Sequence, residues 1–245
     1  MKTAIVTGAS GGIGLAITKK LISNGYFVIA QYNKNESSLQ RLKKELTEKE
    51  LGEYLFSVKC DFNNKKEVQN FVSVIEKSFK FYDVVVNNAG ISLYKLINET
   101  TEDEWDNIFN VNVKSAYITT NAVLGKMIEK KSGNIINISS IWGEVGGSLE
   151  VAYSATKSSL IGYTKALAKE VGLSGIRVNC ICPGVINTAM NQRFSKEETE
   201  EIISSTPLNR LGSPTDIANL VEFLCSEKSS FITGQIITVD GGFTL

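Results

Sequence analysis

A tyrosine and a lysine stand four residues apart in Tyr153-Ser154-Ala155-Thr156-Lys157, which puts a phenol and an ammonium one helical turn apart on one face. A free phenol titrates at about 10, too high for efficient proton exchange at neutral pH, and a neighbouring ammonium draws that value down. Of the eight tyrosines, only this one has a lysine four residues later. A strand-like run ending in Ser139 and Ser140, then a glycine-rich loop, comes just before it. The chain has no histidine, which excludes Ser-His-Asp and Cys-His catalysis and argues against a metal site. Acid–base chemistry must therefore come from Tyr, Lys, Asp, Glu or Cys.

A second chemical feature lies near the start. Thr7-Gly8-Ala9-Ser10-Gly11-Gly12-Ile13-Gly14 follows a strand-like run and opens a helical one. Glycines at such a turn let backbone N–H groups approach a pyrophosphate, and the helix N-terminus adds partial positive charge. Gly8, Ser10, Gly11, Gly12, Ile13 and Gly14 are thus candidate dinucleotide contacts. The adenosine ribose is met roughly 20 residues beyond such a turn, where an acid would bond the 2′-hydroxyl and repel a 2′-phosphate. Here the chain reads Gln31-Tyr32-Asn33-Lys34, with no acid until Glu36. Tyr32, Asn33 and Lys34 tolerate a 2′-phosphate and Lys34 could pair with it, so NADP(H) is favoured over NAD(H). The slot before Gly12, where NADP(H)-using relatives often carry a basic residue, holds Gly11.

These groups need a scaffold, and the periodicity supplies one. Short, nearly continuous apolar runs predict strands at 3–7, 27–31, 54–59, 83–86, 134–139, 177–181 and 235–239. Helical spacing between them predicts helices near 12–24, 37–51, 65–79, 102–131, 153–171 and 215–225. This alternation calls for an α/β fold: a doubly wound parallel sheet of about seven strands with helices on both faces. No linker or repeat divides the chain, so residues 1–245 read as one domain. The polar, weakly periodic stretch 186–210 reads as a lid or a loop with small helices.

Composition narrows the classes. Hydrophobic content is 42% and charged content 21%, ordinary for a soluble domain with a sizeable core. Lys plus Arg equals Asp plus Glu at 26 each, so nothing calls for nucleic acid or an anionic membrane as partner. No apolar window reaches spanning length and no apolar leader is present, which leads us to expect a cytoplasmic protein. The four cysteines, Cys60, Cys180, Cys182 and Cys225, form no CxxC pair and read as reduced, buried small residues.

In order and spacing, Thr7–Gly14, Asn87-Asn88-Ala89-Gly90, Asn112, Ser139-Ser140, Tyr153…Lys157, Pro183-Gly184 and the final Val239-Asp240-Gly241-Gly242 resemble the classical short-chain dehydrogenase/reductases along effectively the whole chain. The resemblance implies hydride transfer between a nicotinamide and a carbonyl or alcohol. Tyr153 would be the general acid, Lys157 would bond the nicotinamide ribose, Ser140 would bond the substrate oxygen, and Asn112 would hold a water linking Lys157 to solvent. Asn88, Ala89 and Gly90 would line the adenosine ribose, and Asp61 with Phe62 would meet the adenine. Ile186 and Thr188, after Pro183-Gly184, would grip the carboxamide. A homotetramer is also implied.

Two substrate readings stay open. Tyr153–Lys165, Arg177–Gly184 and Arg210–Gly212 resemble the bacterial 3-oxoacyl-[acyl-carrier-protein] reductases. That implies a ketone on an acidic carrier, with Lys130 and Lys131 as a docking patch on one side of the cleft; on the other side Leu173-Ser174-Gly175 lacks the usual basic residue. Ser139-Ser140-Ile141-Trp142-Gly143-Glu144 and Ser148-Leu149-Glu150-Val151 resemble the elongation factor P 5-aminopentanone reductases. That implies a ketone on a lysine of a translation factor, with Trp142, Glu144 and Glu150 as substrate residues and either glutamate as partner for an ammonium. A dinucleotide-binding sensor without catalysis is the alternative from another class; it would be expected to have lost Tyr153, Lys157 or Ser140.

Overall fold

The computed structural model describes residues 1–245. In chain order its elements are β1 (Lys2–Val6), α1 (Gly12–Ser23), β2 (Tyr26–Tyr32), α2 (Glu36–Thr47), β3 (Leu55–Lys59), α3 (Lys65–Ser78), β4 (Val84–Asn87), α4 (Glu102–Phe109), α5 (Ser115–Lys130), β5 (Gly133–Ile138), α6 (Val151–Val171), β6 (Ile176–Pro183), α7 (Lys196–Ser204), α8 (Pro214–Cys225) and β7 (Ile236–Val239). The seven strands form one sheet in the order β3-β2-β1-β4-β5-β6-β7, and every pairing is parallel. This is the doubly wound architecture the periodicity predicts.

Strand side chains alternate between the two faces. From β1, Ala4 and Val6 join Ile17 and Leu21 of α1, Leu42 of α2 and Val221 of α8. Ile5, between them, joins Phe71 of α3, Met127 of α5 and Val171 of α6 on the other face. Both faces are covered, so the strands carry continuous apolar runs. Each fully buried Ile or Val contributes on the order of 1.5–3 kcal/mol. The chain order reverses between β1 and β4, which opens a crevice at the carboxyl ends of the strands.

Two expectations need correction and a third is made specific. The predicted helix over 102–131 is broken by a wide π turn at Asn110–Lys114, where the Asn112 side chain bonds the Ile91 backbone. The helix expected to reach residue 51 ends at Thr47, after which the chain turns back with Glu50 in the left-handed region (φ 61°). The 186–210 stretch contains α7, started by a reciprocal cap in which Ser195 Oγ accepts from Glu198 N–H and Glu198 accepts from Ser195 N–H.

Candidate active site

The helix that follows the glycine turn lacks the usual cap. At α4, α7 and α8 a Thr or Ser side chain closes the first turn together with an acid three residues on. At α1 the capping position is Gly11, no side chain bonds the first N–H groups, and the first turn carries no acid. Those donors are left for an anion. Gly8 has φ +62°, and a Cβ at Gly14 would fall 2.2 Å from the Gly8 carbonyl oxygen, so neither position accepts a side chain.

The turn is tied down by Thr7 and by residues outside the motif. Gly8 N–H donates to Gln31 Oε1 at 2.8 Å, while Gln31 Nε2 donates to the Cys60 carbonyl at 2.7 Å. Asn88 Nδ2 donates to the carbonyls of Thr7 and Gly8, and Thr7 Oγ1 accepts from the N–H groups of Asn88 and Ala89. Gln31 is the member that sequence reasoning passed over as an ordinary strand end; an amide buried within an apolar strand was its signal.

A cleft of about 300 Å³ runs from this turn to the catalytic candidates. It is lined by Gly8, Gly11, Gly12, Ile13, Gly14, Asn88 and Gly90 at one end. Ser140, Trp142, Glu150, Tyr153 and Lys157 line the other, with Pro183, Gly184, Ile186 and Thr188 along its wall. Residues from the ends of β1, β4, β5 and β6 therefore converge with the start of α6. The close approaches are built in: a Cβ on Gly12 would lie 2.7 Å from Thr188 Cγ2, and one on Gly184 would lie 2.6 Å from Asp240 Cβ. The glycine cradle, the uncapped helix and the length of the cleft fit a dinucleotide.

Tyr153 and Lys157 are both buried. Burial pushes the Tyr153 phenol up to about 12; the Ser140 hydroxyl beside it draws it down, Glu150 raises it and Arg193 opposes Glu150. Burial lowers Lys157 to about 8. Its Nζ donates to the Ile138 carbonyl at 2.9 Å and stands 5.5 Å from the centre of the Tyr153 ring. The Ser140 hydroxyl and Arg193 favour the phenolate, and an ammonium held over the ring face favours it too.

Other expected residues lie further out or act differently. Ser10, Tyr32, Asn33, Lys34, Asp61 and Phe62 do not line this cleft. Tyr32 closes β2 and is buried, its phenol pKa raised by burial and by Glu36 nearby, while Lys34 is exposed. Asp61 Oδ1 accepts from Asn63 N–H in a local turn. The Phe62 ring packs edge-on against Phe71 in the core, so only its backbone faces outward chemistry. Asn112 is buried, with Oδ1 accepting from Ile91 N–H and Nδ2 donating to the Ile91 carbonyl and Thr156 Oγ1. Its side chain is spent on holding the loop after β4 against α6, which leaves only its backbone carbonyl to hold a water.

Two substrate-side expectations are corrected. Glu144 is exposed, accepts from Thr238 Oγ1 at 2.7 Å and stays outside the cleft. Lys130 and Lys131 precede β5, at the opposite end of that strand from Ser139 and Ser140, and Lys130 pairs with Asp83. Within one chain they cannot flank the cleft. Glu150 does line it, but its carboxylate already holds Arg193 at 2.9 Å. All four cysteines are free and buried, and no helix is long and apolar enough to cross a membrane.

A seven-stranded parallel sheet, a glycine cradle at its switch point and a tyrosine–lysine pair at the far end of the cleft define a nicotinamide oxidoreductase. The chain belongs to the short-chain dehydrogenase/reductase family: the family model described as "Enoyl-(Acyl carrier protein) reductase" matches residues 8–244. It is similar to the 3-oxoacyl-[acyl-carrier-protein] reductase FabG of Chlamydia trachomatis, 41% identical over 98% of this chain and 96% of that one. The FabG of Staphylococcus aureus is 38% identical over 98% and 97%, and an uncharacterized oxidoreductase, YmfI, of Bacillus subtilis is 39% identical over 99% and 98%. Among solved structures, a 3-oxoacyl-[acyl-carrier protein] reductase from Brucella melitensis superposes with a TM-score of 0.91 at 34% identity, covering 100% of this chain and 91% of that one.

Proposed function

We propose that this protein uses NADPH to reduce a ketone carried on a larger protein to the secondary alcohol, as a reductase of the 3-oxoacyl-[acyl-carrier-protein] type. The observation that carries the reading is the meeting of Ser140, Tyr153 and Lys157 at the end of a cleft that begins at the uncapped glycine turn. The dinucleotide, when bound, supplies hydride. The N–H groups of Gly12–Gly14 would hold its pyrophosphate, Asn88, Ala89 and Gly90 its adenosine side, Lys157 its second ribose, and Ile186 and Thr188 its carboxamide. Ser140 orients the substrate oxygen and Tyr153 gives that oxygen a proton, so the carbonyl gains one hydride and one proton. Burial keeps Tyr153 protonated until negative charge develops on the substrate oxygen. Asn112 keeps the loop that carries Gly90 against α6.

The preference for NADPH rests on the missing acid at the end of β2 and on the exposed ammonium of Lys34. Glu36, whose charge acts on Tyr32, tempers it. A cytoplasmic homotetramer goes with the same reading; the fully exposed apolar side chains of Phe231 and Leu245 offer surface to a second copy.

One observation favours a second reading, reduction of 5-aminopentanone on elongation factor P. Glu150 places a carboxylate in the cleft wall, where an acyl chain gains nothing from it and an ammonium would. Such a substrate would have to take Glu150 from Arg193. NADPH oxidation should be followed with an acetoacetyl thioester, with a crotonyl thioester as the control for C=C reduction, and with 5-aminopentanonyl-modified elongation factor P. Turnover of the acetoacetyl thioester supports the first reading; turnover of the modified factor alone replaces it with the second. NADPH binding without turnover of any ketone would leave only a dinucleotide-binding sensor.

A further inference from the structure

Arg193 belongs to no motif above, yet it touches two other segments, as well as its neighbour Phe194, at the mouth of the cleft. Its Nη2 lies 2.9 Å from Glu150 Oε1, and its Cζ lies 4.5 Å from the centre of the Tyr94 ring and 5.0 Å from that of Phe194. Tyr94 belongs to the loop after β4, and Lys95 N–H next to it donates to the Leu149 carbonyl at 2.7 Å. Leu149 sits in the left-handed region (φ 61°), a conformation costly for a side-chain-bearing residue, and it turns the chain into Glu150.

Glu150 is 3% exposed, and Arg193 is its one ion-pair partner. A buried carboxylate is tolerated only when paired, and here the partner arrives on the 186–210 segment. Lifting that segment would strand the charge one helical turn before Tyr153. The charged and titratable groups around Tyr153 are Lys157 on α6, Cys182 on β6, Glu150 at the start of α6 and Arg193 from across the cleft. Glu150 and Arg193 act on the phenol in opposite directions.

We propose that Arg193 is a positioning residue whose ion pair with Glu150 fastens the 186–210 segment over the cleft and, in fastening, neutralises the carboxylate beside Tyr153. Closure and the acidity of the proton donor are then coupled through one contact. The second half of this statement rests on the reading of Tyr153 as the acid; the first half does not.

The test compares Arg193→Gln, Glu150→Gln, the double variant and Arg193→Lys in the full chain with NADPH bound. A glutamate-specific protease reads the accessibility of Glu197–Glu201 in α7, fluorescence titration reads NADPH affinity, and the pH profile of ketone reduction reads Tyr153. Each glutamine variant should be cleaved several-fold faster, the double variant no faster than the worse single, and Arg193→Lys should recover part of the protection. The alkaline limb should move up in Arg193→Gln and down in Glu150→Gln. Unchanged cleavage in both single variants, additive effects in the double, or a limb that stays fixed in both would overturn the proposal. Cleavage and titration need no substrate, so a protein that reduces no ketone but keeps the non-additive protection retains the fastening contact and loses only the proposed function.

Discussion

The Lys157 ammonium stands 5.5 Å from the centre of the Tyr153 ring and is held there by a 2.9 Å hydrogen bond to the Ile138 carbonyl at the end of β5. It is a buried cation without a carboxylate partner, and burial lowers its pKa from an ordinary 10.5 to about 8. The folded state therefore binds this proton less tightly than the unfolded chain. Below pH 8 both states are protonated and the cost of burying the charge is fully present; it fades as pH rises from 8 to 10.5. Lys157→Met should raise stability at pH 7 by up to about 3 kcal/mol while removing turnover. Thermal melts across pH check this: the variant's advantage should shrink above pH 8, and an advantage that grows with pH would contradict the assignment.

Cofactor choice can be moved at two positions. The Cβ of a residue at Gly11 would meet only the Gly8 carbonyl oxygen, at an ordinary 3.5 Å, so Gly11→Arg fits without strain and adds a cation beside the cradle. It should shift preference toward NADPH by roughly tenfold, one well-placed ion pair's worth. Tyr32→Asp should shift it toward NADH. Paired titrations with both dinucleotides read the result, and no shift in either variant would mean that the ribose lies elsewhere.

Gln31 is predicted to support cofactor binding without touching the cofactor. Gln31→Leu would strip the partner from Gly8 N–H and from the Cys60 carbonyl, each loss worth about 1–3 kcal/mol when buried. Lower thermal stability and weaker NADPH binding should appear together. An unchanged dissociation constant alongside a lowered melting temperature would confine Gln31 to the scaffold.

Asp216, in the first turn of α8, holds Arg210 at the end of the 186–210 segment. The Arg210 guanidinium and the Ser213 N–H hold its carboxyl well below the usual range. A depressed carboxylate stabilises the fold above its unfolded pKa, and that contribution is lost as pH falls. Solvent screening at this partly exposed pair limits the effect to about 1 kcal/mol. Asp216→Asn should lower stability at pH 7 and flatten the acid limb of the stability curve, as acid titration of circular dichroism would record.

The sheet was legible because its inner strands are buried on both faces, so apolar runs such as Thr3-Ala4-Ile5-Val6 stand out without knowledge of their neighbours. The glycine cradle and the Tyr153–Lys157 spacing were legible because their chemistry is local in sequence. What stayed hidden depends on tertiary partners. The π turn at Asn112 exists to reach Ile91 and Thr156, and the short helix at Lys196–Ser204 was marked only by the Ser195…Glu198 cap. Glu150 read as an open carboxylate because nothing near it in sequence announces Arg193, 43 residues later. Lys130 and Lys131 were placed beside the cleft by likeness alone, and the strand direction puts them at its far end.

The central claim is that Tyr153 gives the proton that completes ketone reduction, and Tyr153→Phe tests it most directly. Single-turnover oxidation of bound NADPH with the preferred ketone should be slowed by roughly 10²–10⁴, the usual worth of a general acid, with NADPH affinity nearly unchanged. Near-wild-type oxidation by the phenylalanine variant would contradict the account.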